Sequence, residues 1–368
     1  MLRSCFFAAL FVACALVTVA TSVAATFVVT NLKTSDLGYS SISGLVYAAV
    51  PNASATNPNT LTPINPSTGG LNSPIPIGFD PARIAVSSDG TKVFTVIGGQ
   101  RAVQRYNIPT ASADQLFSVS GGPQFTDMYA VPGRPNAVVL HEADPGTSPP
   151  AVATVVFENA VLLPHQVGHG VGVGGPDIFA VDPADGTKAY GYQNTISSYD
   201  NVPMLIGPQG IDINGPSSLQ GILTGNVGHI AITGDRLFDS NGHIYSMSLG
   251  FQVGTFLGGS NFLLDPSYHR LFSLTTSGTT QTIRAYSLDT LGLLGTDTVS
   301  PISGTTSSLI RFGSDGLAFR TSNDQVVFLH SPIVTPEPSS LMLAIVGLLV
   351  GGTRRTRKQV FRIWCAAR

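Results

Sequence analysis

Ala82-Arg83-Ile84-Ala85-Val86-Ser87 is a β-rich run, and Ser88-Asp89-Gly90 breaks it before Lys92-Val93-Phe94-Thr95-Val96-Ile97 begins a second. A third run follows at Ala102 to Ile108 and a fourth at Gln115 to Val119. Valine, isoleucine, threonine and phenylalanine suit a pleated strand, because branched and aromatic side chains pack well on it. Asp-Gly between two such runs marks a tight hairpin, since both residues tolerate the backbone angles that reverse a chain. This stretch therefore predicts a four-stranded antiparallel meander.

The unit recurs. Comparable turns centre near Gly44, Asp89, Arg134, Asp185, Asp235, Tyr268 and Asp315, at successive spacings of 45, 45, 51, 50, 33 and 47 residues. Units of about 40–50 residues, each holding four strands, are the blades of a propeller. Seven of them predict an all-β chain folded as a seven-bladed β-propeller. Six or eight blades and a pair of β-sandwiches are the alternatives. The spacing of 33 leaves open either the phase of the fifth turn or the length of its blade. The last unit offers strands at Ser308 to Phe312, Gly316 to Thr321 and Gln325 to His330, but no fourth. Thr26-Phe27-Val28-Val29-Thr30-Asn31-Leu32 is a good strand with no other partner. It is expected to complete the last blade and close the ring, which leaves no open edge to aggregate.

Composition fits this class. Charged residues make up 11% of the chain, against a usual ~25%, and no long stretch has helical periodicity. A net charge of −2 argues against a nucleic-acid binder, which would show a basic stripe. Cys5 and Cys14 lie near one end and Cys365 near the other. The domain between them has no disulfide, thiol nucleophile or thiolate metal site. Packing alone must hold it together, and roughly 310 residues can bury a sufficient core.

The two ends read differently. Arg3 precedes an apolar run from Cys5 to Ala20, and Val23-Ala24-Ala25 supplies small residues for a signal peptidase. Residues 1–25 are thus expected to be a secretory signal peptide cut after Ala25. Near the other end, Leu341 to Gly352 carries no charge, yet is shorter than the roughly 20 residues an untilted spanning helix needs. Pro336-Glu337-Pro338-Ser339 precedes it, and the prolines keep that box extended. Arg354, Arg355, Arg357 and Lys358 follow it and would stay cytoplasmic. The expected division is a leader at 1–25, a propeller at 26–332, a linker box at 333–340, a membrane helix at 341–353 and a basic cytoplasmic tail at 354–368.

The box, apolar run and arginine cluster in this order resemble the PEP-CTERM sorting domain of Gram-negative bacteria. That resemblance implies processing by an exosortase after the signal peptidase, a transient stay in the inner membrane, and delivery to the cell surface or an exopolysaccharide-rich extracellular matrix. The extension Gln359 to Arg368 departs from it, because such tails usually stop soon after the arginines. The blades are similar to those of YVTN-type propellers, on Val93 to Ile97 followed by Ala102 to Ile108, on Leu45 to Val50 before Ile64-Asn65-Pro66, and on Asp80-Pro81, Asp182-Pro183 and Asp265-Pro266. Such propellers host lactonases, lyases, redox proteins and plain binding scaffolds, so the fold leaves function open.

Candidate chemistry is sparse. His165 and His169 stand four apart in Pro164-His165-Gln166-Val167-Gly168-His169-Gly170, a glycine-rich loop rather than a metal-binding helix face. Gly170, Gly172 and Gly175 match a phosphate-loop spacing, but Pro176 and the strand-like Asp177 to Val181 follow where a helix should start. Asp182-Pro183-Ala184-Asp185-Gly186 lacks the oxygen ligands and terminal Glu of an EF-hand and reads as turn chemistry. His141, Glu142 and Asp144 form the densest ionisable cluster and read as a solvated loop. The sequence singles out no catalytic, cofactor-binding or metal-ligating residue, although aspartates at the propeller mouth could take a calcium ion. Two function classes follow. One is a non-enzymatic scaffold that binds polysaccharide or protein, with an open mouth free of convergent carboxylates. The other is a secreted propeller enzyme, lactonase- or lyase-like, in which Asp, Glu, His or Asn side chains meet a cation on the axis.

Overall fold

The computed structural model describes residues 25–335 except 120–123, 147, 149, 169–174, 195–198 and 260. The membrane segment 341–353, the sorting box from Pro336 and the basic cluster lie outside the described residues. Among the described residues no helix is long and apolar enough to cross a membrane.

Seven separate antiparallel sheets form the molecule. Blade 1 runs from Asp36 to Pro76, blade 2 from Pro81 to Ser118, and blade 3 from Gln124 to Gly168. Blade 4 spans Ile178 to Ile213, blade 5 Ile230 to Thr255, and blade 6 Asn261 to Val299. Blade 7 takes Thr306–Phe312, Gly316–Thr321 and Gln325–His330, then Thr26–Asn31 as its outermost strand. Thr26 pairs with His330 and Asn31 with Gln325, so the N-terminal strand closes the ring as its sequence suggests. The first strand of every blade packs beside that of the next, and blade 7 returns to blade 1. Seven innermost strands thus surround a central channel, and among the described residues no β-sandwich forms.

Apolar packing explains why the strands read as continuous apolar runs. One cluster of buried side chains fills each of the seven seams between blades. In Leu45–Val50, Val46, Ala48 and Val50 face the blade 7 seam while Tyr47 and Ala49 face blade 2. Both sides of the sheet are covered, so hydrophobic residues need not alternate with polar ones. The core continues past the last strand to Val334, which is fully buried between blades 6 and 7.

All seven first turns lie where the repeat places them. The spacing of 33 reflects the size of blade 5, whose first three strands have four residues each. The connection 214–229 makes up the lost volume. Leu219, Leu223 and Val227 are fully buried there against Tyr190 and Tyr192 of blade 4. The Asp-Gly turn expected at Asp89 is present and sits within a four-residue hairpin loop. Ser87 pairs with Lys92 around a four-residue loop, and Gly90 takes φ +72° to donate its N–H to the Ser87 carbonyl at 2.8 Å. Asp89 Oδ1 accepts from the Ser87 hydroxyl and the Thr91 amide, and this holds the wider loop.

Candidate functional site

The innermost strands begin at one face of the ring and end at the first-turn face. At the starting end, polar side chains from several blades converge on the channel. Asp36 opens the first strand of blade 1 and is fully used as a stitch. Its Oδ1 accepts from the Ser308 hydroxyl of blade 7 at 2.6 Å, and its Oδ2 from the Ile84 amide of blade 2 at 3.0 Å. Arg320 of blade 7 donates to Ser308 Oγ at 3.1 Å and to the Thr34 carbonyl at 3.2 Å.

Arg83 lies one residue before the amide that Asp36 holds. Its Nε donates to the Thr126 carbonyl of blade 3 at 3.0 Å, and the residue as a whole is exposed. Among the described residues it closes no ion pair, although Asp127, Asp36 and Tyr129 lie near enough to act on its charge. Asp127 sits on blade 3 beside a register shift between Phe125 and Asp127, where a bulge turns the strand. Its Oδ1 accepts the Met128 amide at 3.0 Å. His229, just ahead of the first strand of blade 5, packs edge-on against Phe262 with centroids 4.7 Å apart.

Enclosure by protein sets the electrostatics. Loss of solvent pushes the Asp127 carboxyl up to about 6, with Arg83 and the Met128 amide opposing that rise and Asp36 adding to it. Desolvation also opposes the charge of Arg83, but the Asp127 and Asp36 carboxylates and Tyr129 outweigh it and leave its pKa raised. Enclosure lowers His229 to about 4, and the Arg83 charge pushes the same way. Tyr129 is raised well above its usual range by desolvation first and Asp127 second. Arg320 is lowered, mainly by burial and partly by Arg83. At neutral pH the channel end therefore holds two guanidiniums, the Asp127 carboxylate and a neutral His229 imidazole.

The residues singled out from sequence fare differently. His165 Nδ1 pairs with Asp212 of blade 4 at 2.9 Å, and its backbone bridges Gly210, which links blades 3 and 4 at an exposed site. His169, Gly170 and Gly172 lie outside the described residues. Asp182 and Asp185 are turn residues as expected. Asp182 accepts the Ala184 amide at 2.9 Å and the Gly234 amide of blade 5 at 2.8 Å, while Asp185 holds Thr187 and Lys188. Asp144 lies in the loop after the second strand of blade 3. His141 and Glu142 are not loop residues: both lie within that strand, Ala137–Ala143, and both are buried. His141 Nδ1 meets Thr126 Oγ1 at 2.7 Å, and burial lowers its pKa to about 4. Among the described residues no three His, Cys, Asp or Glu side chains group so as to hold a metal ion.

Glu142 makes a direct prediction. Burial raises its carboxyl to about 6, and Oε1 has no hydrogen-bond partner. A carboxylate whose pKa is raised on folding destabilises the fold above that pKa and stops doing so once protonated. Glu142→Gln should therefore gain about 1–2 kcal/mol at pH 8, with the gain fading to nothing as pH falls through 6 toward 4. Urea unfolding at pH 8 and pH 5 checks this, and an equal effect at both pH values would refute it.

Comparison with known proteins gives fold alone. No family model matches the chain, and no curated protein matches it. Among solved structures it is similar to Kuenenia stuttgartiensis hydrazine synthase, with a TM-score of 0.59 at 12% identity over 83% of this chain and 97% of that one. At that identity the likeness supports the propeller architecture and carries no activity across.

Proposed function

We propose that this chain is an exported, non-enzymatic binding propeller of the cell surface or extracellular matrix, sorted through its Pro336-Glu337-Pro338-Ser339 box. One observation supports the binding reading over catalysis: the carboxylates at the channel end lie in the field of two arginines rather than converging with further carboxylates on a cation. Asp36 has both oxygens committed to neighbouring blades. Asp127 and His229 remain, too few to form a cation cage with Asp36. The partner classes this reading implies are polysaccharide or protein for the propeller and an exosortase for the tail.

Replacing Pro336, Glu337 and Pro338 with alanine should leave a membrane-bound, uncleaved product on immunoblots of fractionated cells. Unchanged processing would sink the sorting assignment. The enzyme reading keeps one supporting observation, the shifted ionisation of Asp127 and His229 at the channel end. Calorimetric titration with calcium separates the two: saturable binding that Asp127→Asn abolishes would favour a cation-dependent enzyme, and no heat would favour the scaffold.

A further inference from the structure

We propose that the channel end where the innermost strands begin is a recognition site for a hydroxy-carboxylate such as a uronic-acid unit, with Arg83 as the group that takes the carboxylate. The proposal rests on the binding reading given above and names the ligand class of that site.

Four features carry it. Arg83 is anchored through Nε by the Thr126 carbonyl at 3.0 Å, which fixes the plane of the guanidinium. Its two Nη groups stay free to form the planar fork that matches a carboxylate in two parallel hydrogen bonds. The side chain is exposed although protein surrounds it, so a ligand group can reach it without displacing an existing ion pair. Asp127, on the next blade, has one oxygen on the Met128 amide and can accept a hydroxyl beside the carboxylate. Lastly, the surrounding charges balance: Arg83 and Arg320 face Asp36 and Asp127. One added negative charge meets little net repulsion there, and a singly charged carboxylate is opposed less by the two acidic groups than a phosphate dianion would be.

Sodium galacturonate is the probe, titrated calorimetrically into the purified protein, with galactose and methyl galacturonate as uncharged controls. The expected result is saturable binding of galacturonate alone, weakened about tenfold or more by Arg83→Gln. Arg83→Lys keeps the charge but lacks the fork, so it should bind severalfold more weakly than the wild type; it also serves if Arg83→Gln fails to fold. A trigalacturonate that binds more tightly than the monomer would identify a polysaccharide chain as the source. Equal binding of both would identify a free hydroxy acid. No binding of galacturonate, binding equal to that of galactose, or undiminished binding by both Arg83 variants would overturn the proposal. In that event, neutral glycan binding at another surface would leave the scaffold reading standing, and calcium-dependent turnover of a lactone would remove both.

Discussion

A chain that begins at Leu32, lacking Thr26–Asn31, should fail to form a stable monomeric ring. The missing strand supplies the whole outer ladder of blade 7, from Thr26 against His330 to Asn31 against Gln325. It also ties blade 7 to blade 1, because Thr30 Oγ1 donates to the Gly69 carbonyl at 2.8 Å. Val29 packs on the cluster between blades 6 and 7. Without it, Gln325–His330 becomes an unpaired edge with a row of free amides and carbonyls, a template for pairing between molecules. The expected loss is at least about 5 kcal/mol, comparable with the net stability of a small domain. Circular dichroism melts and light scattering should show a lower transition together with aggregation. A melting temperature within a few degrees of the full chain would contradict the closing role.

Arg311→Met should have the next largest effect. Arg311 Nε pairs with Asp265 Oδ2 at 2.7 Å across the seam of blades 6 and 7. Its other nitrogens donate to the carbonyls of Gly316, Gly313 and Ser314, and its guanidinium stacks over Tyr268 at 4.7 Å. Methionine fills much the same volume but leaves the Asp265 carboxylate, only 10% exposed, without its counter-charge. Breaking one partner of such a pair costs about 3–5 kcal/mol. Adding Asp265→Leu to Arg311→Met removes the stranded charge and should recover part of the loss, which urea unfolding of both variants tests.

How much of this was legible in the sequence follows from range. The turns at Asp89, Asp185 and Asp315 announce themselves, because turn chemistry is local and the residues that supply it are neighbours. The closing strand was legible by elimination: Thr26 to Leu32 had no partner and the last unit lacked one. The size of blade 5 was not legible, since Leu219, Leu223 and Val227 fill its space from a connection without strand pattern. Glu142 and His141 looked solvated because their burial depends on blades that approach only after the ring closes. The channel cluster was hidden for the same reason. Asp36, Arg83, Asp127 and His229 come from four blades, and each alone is an ordinary polar residue at the start of a strand. One usable signal did exist. Each stands a similar distance ahead of its blade's first turn, Asp36 before Gly44, Arg83 before Asp89, Asp127 before Arg134 and His229 before Asp235. Aligning the repeats on their turns would have put the four within two positions of one another.

The pairing of Thr26 with His330 has a directional consequence. Both residues lie at the first-turn end of blade 7, and Ala25 and Val334 share one apolar cluster there. The described chain therefore starts and stops at nearly the same point, on the face opposite Arg83. A surface that held the protein at Ala25 or Val334 would sit beneath that point. The propeller would stand on it like a bowl on a single foot, with its guanidinium-lined opening turned outward.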